Sequence, residues 1–538
     1  MLQKQGLLAN YFFRGFETIE KSIRIYKMTS TVTPINQPQT TAIKAPAKVT
    51  RTSIFYINDV HSNLSNMERI KSISDDFDDF VPSEPTDKLK LSAGDIGVGR
   101  DVPLNKLSVT FQNLIGIMAN ACGNHEFDLN KKDLADVLKD AKYKFLGMNV
   151  DFPENNPINK ELRKDITGSY IQEQNGTKYG VIGLMPFDFV LHLSDPERYQ
   201  DFDIKSVEET IVDLQKKVDE LKEQGVDKVI ILSHGGYTAD VALAQNVEGI
   251  DVILGGHTHD LLKGIEEGKN LFYSKKTGEP TIIVQAGKNG NHAGILNLEF
   301  DEKGVIRKAQ NNIIDTEKFP RSPVMKFFAD RILGKPEVVG TIKSAPKVKL
   351  SLVTESSSAN FVADAERSEL GVDLVLINAG NIRSSLEEGP LTTRDLQMLT
   401  PFDNKAWIIK LTEKQLVDAL KVGAKSMASV DNTPGIIYAS GLKYTISKSG
   451  ELKAATFVDR DGKETPIDIN NPNHFKTYTV ATDDFIAKGG NGFITNKEHE
   501  NAVIEKFDFD KNKLVVDYLK KHPEPVVISP EKRITIVD

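Results

Sequence analysis

The stretch Met118-Ala119-Asn120-Ala121-Cys122-Gly123-Asn124-His125-Glu126-Phe127-Asp128 runs from a short apolar segment into six residues that carry an amide, an imidazole and carboxylates. An Asn can offer a metal its side-chain carbonyl oxygen. A neighbouring His can give a proton to a leaving group, and an Asp three residues on can orient that His. Alone the hexapeptide is only suggestive. Its weight comes from the recurrence of the same arrangement, an apolar run and then a polar turn, through the first half of the chain. Ser53–Ile57 leads into Asn58-Asp59-Val60-His61, and Lys88–Leu91 into Ser92-Ala93-Gly94-Asp95. Val229–Leu232 leads into Ser233-His234-Gly235-Gly236, and Val252–Leu254 into Gly255-Gly256-His257-Thr258-His259. Thr281–Val284 and Ile295–Phe300 read as further strands, while Lys131–Ala141 and Ser206–Gln224 have helical periodicity. Strands alternating with helices predict an α/β fold, in which the loops leaving the carboxyl ends of strands cluster in space. Five polar turns can therefore meet at one site although about 200 residues separate the first from the last.

The whole chain sets the frame. At 538 residues it is too long for one ordinary domain and is expected to form two, each able to bury a core. Hydrophobic residues make up 39% and charged residues 27%, with a net charge of −8 and acid and base interspersed. There is no basic stripe, so a nucleic acid polymer is not the expected partner. An anionic substrate would need a local positive site, which a metal pair can supply. The single cysteine, Cys122, excludes an intramolecular disulfide and reads as a small buried residue at a strand end. No run of 18 apolar residues exists, so no transmembrane helix is predicted, and no export signal is visible. The expected location is therefore cytoplasmic. Phe12, Phe16, Ile19, Ile23 and Tyr26 recur at helical spacing ahead of a stretch, residues 29–49, too poor in large apolar groups to order itself. Residues 1–49 are expected to be a disordered tail.

Asp59, His61, Asp95, Asn124, His234, His257 and His259 are seven donors of the kind that bind Zn, Mn, Fe or Co. Seven are too many for one tetrahedral ion and suit two divalent ions that share a carboxylate. The ordered set D-x-H, G-D, G-N-H-E, H-G and G-H-x-H resembles the calcineurin-like metallophosphoesterases, and the hexapeptide is nearest to the branch that contains the 5′-nucleotidases. The resemblance implies an N-terminal αββα sandwich. It implies that Asp59, His61, Asp95 and His259 hold one metal and that Asp95, Asn124, His234 and His257 hold the second. It makes His125, oriented by Asp128, the group that protonates the leaving oxygen. Two such ions, roughly 3.5–4 Å apart, clamp a phosphoryl group and activate water for in-line attack. Asp128 could also cap the helix that follows it.

The second half carries three turns of its own. Asn378-Ala379-Gly380-Asn381-Ile382-Arg383 follows the strand Asp373–Ile377, and its glycine and Arg383 suit a phosphate or carboxylate. Thr400–Asn404 carries Phe402, and Gly489–Phe493 ends in Phe493; two rings can sandwich a flat base. These features resemble the C-terminal α/β substrate-binding domain of 5′-nucleotidases, which makes Asn378, Gly380, Arg383, Phe402 and Phe493 the substrate-binding residues. The implied domains are 50–318 for catalysis, 319–345 for a linker with a helix and a hinge, and 346–538 for substrate binding. In that family the second domain swings about the linker. Three positions depart from the family pattern: Leu352 stands where an Arg is frequent, Ala359 and Asn381 where glycine is usual. Lys347 or Lys349 is expected to substitute in part for the missing Arg, and Asn381 to tolerate a positive φ.

The implied activity is hydrolysis of a small nucleotide, most simply a 5′-nucleotide to nucleoside and phosphate. The same machinery suits 2′,3′-cyclic nucleotides, nucleotide sugars or a sulfur ester. A reading of another class is a nucleotide-binding protein that has lost turnover. Relatives with both domains are commonly periplasmic or at the cell surface, which is the alternative location.

Overall fold

The computed structural model describes residues 33–34, 49–153, 156–189, 199, 201–346, 351–402, 404–429, 432, 434–494 and 502–538. The Phe12–Tyr26 periodicity, most of the expected tail, and Lys347 and Lys349 lie outside them. Of the tail, Thr33–Pro34 forms a two-residue edge strand paired with Lys308 and Ala309.

Among the described residues, the first half builds two large sheets packed face to face and a two-stranded ribbon of Val150–Asp151 with Asp203–Ile204. In the larger, Thr50–Ile57 lies between Asp87–Ser92, parallel to it, and His292–Phe300, antiparallel. Ala119–Ala121 and Lys144–Leu146 extend the parallel run. In the second sheet Thr177–Leu184, Lys228–Ser233, Val252–Gly255 and Pro280–Val284 are all parallel. Period-two alternation decides what each strand face buries. Ile54, Tyr56, Leu89, Leu91, Ile230 and Leu232 fill the layer between the sheets. The alternate residues of the same strands face outward onto helices. Phe55 and Ile57 pack under the helices Leu64–Asp79 and Val102–Ile115, and Val229 and Ile231 under Val207–Glu223 and Tyr237–Asn246. Strands covered on both faces read as continuous apolar runs, as they do here. The result is the αββα sandwich.

Local chemistry sets the helix ends. Asp101 caps Val102–Ile115, which stops at Gly116 in the left-handed region with φ 76°. Ser206 and Glu209 form a capping box at the start of Val207–Glu223. The helix after the hexapeptide, Lys131–Leu138, is capped by Asn130, whose side chain accepts from the N–H groups of Lys132 and Asp133. Asp128 therefore does not cap it.

The helix Pro323–Ile332 docks on the first domain, with Met325 and Ala329 buried in the core that holds Phe55 and Ile57. The next strand, Val338–Ser344, pairs instead with Gly389–Thr392 and Val526–Val527 of the second half. The chain thus crosses between domains at residues 333–337. The second domain has a central sheet of five strands, among them Leu374–Asn378, Lys405–Thr412 and Thr477–Asp483. The helices Ser357–Leu370 and Glu413–Lys425 contribute to its core.

Candidate active site

The turns that follow the first two parallel strands continue their pairing beyond the sheet. Asp59 N–H donates to Gly94 O (2.9 Å), His61 N–H to Asp95 O (3.0 Å) and Ser62 N–H to Ile96 O (2.8 Å). This holds both carboxylates and His61 at one point. Asp59, His61, Asp95, His257 and His259 all have φ between 49° and 73°, a region costly for residues other than glycine and tolerated where surrounding structure enforces it. Glycines make room: a Cβ on Gly123 would stand 2.1 Å from Asp95 Oδ1, and one on Gly256 2.8 Å from His234 Nδ1.

Among the described residues, the donors converge as three overlapping groups, one of which joins His61 and Asp95 to His125. Ligand atoms of Asp59, His61 and His259 lie within 4.8 Å of one another, as do those of Asp59, Asp95 and His234. Asp95 Oδ2 is 3.5 Å from His61 Nε2 and 3.1 Å from His234 Nε2. Asp59 Oδ1 is 3.4 Å from His259 Nε2 and 3.8 Å from His234 Nε2. Yet His61 Nε2, His234 Nε2 and Asn124 Oδ1 are buried without a hydrogen bond, so their contacts are close but not aligned. The opposite ring nitrogens are tied: His234 Nδ1 to Ala93 O (2.6 Å) and His61 Nδ1 to Asn289 Oδ1 (3.1 Å). Imidazoles held through Nδ1, with Nε2 orphaned beside carboxylates, are the arrangement of metal ligands. The residues therefore fit two borderline divalent ions. His257 borders these groups: its N–H donates to Asp59 Oδ2 at 3.1 Å, its ring centre lies 5.2 Å from that of His234, and its Nε2 contacts the Asp188 carboxylate at 3.0 Å.

The charges agree. Burial opposes ionisation of Asp59, but His234 and His259 outweigh it and bring the carboxyl to about 2. Burial lowers His61 to about 3. Burial also works against a charge on His234, yet Asp95 and Asp59 push it up to about 10. The carboxylate pair thus demands a positive charge at this point, which a divalent ion would supply while leaving the imidazole neutral.

His125 Nδ1 is 2.7 Å from Asp128 Oδ2, and the same oxygen accepts the Gly99 N–H at 2.7 Å. Burial disfavours the imidazolium, but Asp128 and Asp95 overcome it and raise His125 above its ordinary range. Glu126, which on the hexapeptide alone looks incidental, accepts from Gly123 N–H (2.7 Å), Asp95 N–H (3.0 Å) and Ile96 N–H (3.0 Å). It clamps the hexapeptide to the Asp95 turn. Asn289 and Asp188 are not legible as site residues, because each acts through a neighbour and neither belongs to a metal-ligand pattern; Glu126 stands within the G-N-H-E stretch, but its clamp is a contact between two turns that spacing does not show.

The second domain reaches this site. The Phe402 ring lies 6.3 Å from the His125 ring, and Arg383 Cζ sits 5.2 Å from the centre of Phe402. Burial lowers Arg383, against the favourable charges of Asp128, Asp95 and Asp59. Asn378 is buried with Oδ1 unpartnered, and Gly380 stands beside it. Phe493 is 2% exposed and belongs to the second domain's core, so it does not face Phe402 as an open ring. Asn381 is not among the residues with positive φ; its Nδ2 instead donates to Asp483 Oδ2 at 2.7 Å.

Comparison with known proteins agrees with this geometry. The calcineurin-like phosphoesterase family matches residues 52–261, and the 5′-nucleotidase C-terminal domain family matches residues 338–498. A 5′-nucleotidase of Bos taurus is 28% identical over 458 residues, covering 76% of this chain and 75% of that protein. A trifunctional nucleotide phosphoesterase of Bacillus subtilis is 28% identical over 90% of this chain, which spans only 34% of that relative's length. The crystal structure of a 5′-nucleotidase precursor from Thermus thermophilus superposes with a TM-score of 0.71 at 25% identity, covering 91% of this chain and 99% of that one. With both domain families matched in order and the donor set assembled between the sheets' strand ends, the chain belongs to the metal-dependent phosphoesterases that join a calcineurin-like domain to a 5′-nucleotidase C-terminal domain.

Proposed function

We propose that the chain hydrolyses 5′-nucleotides to nucleoside and phosphate. The observation that carries this reading is the meeting of the two domains. Arg383 and Phe402, from the half that matches the 5′-nucleotidase domain, stand at the His125 edge of the donor cluster. Asp59, His61, Asp95, Asn124, His234, His257 and His259 would hold two divalent ions, which supply Lewis acidity for the phosphoryl group and the attacking water. Arg383 offers a planar fork to phosphate oxygens. With Nδ1 held by Asp128, Nε2 is the atom of His125 left to carry a proton to the leaving ribose oxygen. Phe402 supplies a face for the base. The 5′-nucleotidase and nucleotide phosphoesterase names of the relatives support the substrate class.

The test is phosphate release from a panel of 5′-nucleotides, 2′,3′-cyclic nucleotides and nucleotide sugars with Mn²⁺, Zn²⁺ or Co²⁺. The 5′-nucleotides should be the best substrates, chelation should abolish turnover, and His125→Ala should lower kcat by about 10²–10⁴. Unaltered turnover in Asp95→Ala, or preference for another member of the panel, would overturn the reading.

A further inference from the structure

The three turns read as substrate-binding come from separate parts of the second domain, and one buried carboxylate touches the framework of all three. Asp483 ends the strand Thr477–Asp483 and is 2% exposed. Its Oδ2 accepts from Asn381 Nδ2 at 2.7 Å, in the turn that carries Arg383. The same oxygen accepts from Asn404 Nδ2 at 3.3 Å, two residues after Phe402. Its Oδ1 accepts the Ile486 N–H at 2.9 Å and so caps the short helix Asp484–Ala487 that leads into Gly489–Phe493. Lys511, also 2% exposed, approaches Oδ2 at 3.4 Å and supplies the counter-charge.

We propose that Asp483 is the positioning residue of the nucleotide site: one carboxylate sets the Arg383, Phe402 and Gly489–Phe493 turns relative to one another. The inference rests on the proposed function for its substrate, but its geometry does not. A carboxylate can do this because it is acceptor-only and takes several donors at once. An amide in its place cannot, since its nitrogen would oppose the amides of Asn381 and Asn404 and the Lys511 ammonium. Asn381 acquires a role in the same way. Where a glycine would leave the turn unanchored, its side chain reaches back to the hub. Buried networks of this kind are cooperative, so removing any member weakens the rest.

Asp483→Asn keeps the helix cap through Oδ1 and breaks the rest. The expected result is a rise in KM for a 5′-nucleoside monophosphate of about tenfold or more, the factor carried by one hydrogen bond to a charged group. The kcat should stay within about threefold, and hydrolysis of p-nitrophenyl phosphate should suffer less than that of the nucleotide, because that small ester uses the donor cluster and Arg383 but not the Phe402 face. Asn381→Ala, a milder change that keeps the charge pair, should also raise KM. Added to Asp483→Asn it should have little further effect, since the two act as one unit. An equal loss on both substrates, or additive effects of the two variants, would overturn the proposal. If the unaltered protein proves inactive on nucleotides, the substrate reading fails. The hub is then judged by hydrogen exchange, where Asp483→Asn should speed exchange at 378–383, 401–404 and 489–493 together while 123–128 is unchanged. Unchanged exchange in those three turns would sink it.

Discussion

Gly123 has no side chain because Asp95 occupies the space. A Cβ there would meet Asp95 Oδ1 at 2.1 Å and Asp95 N at 2.8 Å, so both the carboxylate and its backbone would have to shift. Misplacement of a reacting group by about 1 Å can cost on the order of 10² in rate. Gly123→Ala is therefore expected to fold, to lose about two orders of magnitude in kcat, and to bind less metal by elemental analysis. Retention of full metal content and rate would mean that Asp95 is not held where the geometry has it. The glycine itself was legible as part of the hexapeptide. Its reason was not, since it is a distance between two turns that only the folded chain brings together. The same holds for Asp128, which by sequence could be a helix cap. In the structure Asn130 takes that job, and Asp128 serves His125 and Gly99.

The apolar runs predict most of the central strands to within a residue or two, because strands covered on both faces must be apolar throughout, while Thr50–Ile57 and His292–Phe300 each begin three residues before the expected start. The helix Ser357–Leu370 carries charged residues in its last turns, which hide its full length from an apolar-period reading. Among those is Glu366, 3% exposed with Oε1 unpartnered. Burial pushes its carboxyl up to about 7, against the favourable charge of Lys511. Between the unfolded value near 4.5 and this one, the folded chain binds the proton more tightly than the unfolded chain. The stability it contributes is thus fully present below pH 4.5 and is lost as pH rises through about 7. Glu366→Gln should remove that loss. The difference in unfolding free energy between variant and parent should grow from pH 5 to pH 8, with a slope of at most about 1.4 kcal/mol per pH unit. A constant difference across that range would show that Glu366 is ionised throughout.

At the scale of the whole molecule, the sequence predicted convergence of five turns but not the route. Nothing in the apolar runs says that the strands divide between two sheets, or that both sheets present their carboxyl ends to one site. Nor could spacing locate the crossover at residues 333–337, because the helix that precedes it looks like linker until its buried face is seen. Two ties join the domains near that crossover. Gln397 Nε2 donates to Asp101 Oδ2 at 2.6 Å, and Arg394 bonds Asp330 at 2.6 Å and also Gly334 O. Partly exposed ties of this kind are each worth about 0.2–1 kcal/mol. Gln397→Ala with Arg394→Ala is expected to raise KM for the nucleotide several-fold while kcat and the melting temperature change little. An unchanged KM would mean that this arrangement of the domains is not the one that binds substrate.

The larger sheet also has a consequence for the order in which the molecule is made. Its strand Thr50–Ile57 is flanked on one side by Asp87–Ser92 and on the other by His292–Phe300. Synthesis runs from the amino end, so the second neighbour leaves the ribosome only after the last histidine donor, His259. Until then one edge of that strand is open, and Asp59 and His61 stand at the end of an incomplete sheet. The donor set is therefore framed by its complete sheet only when nearly the whole first domain has emerged.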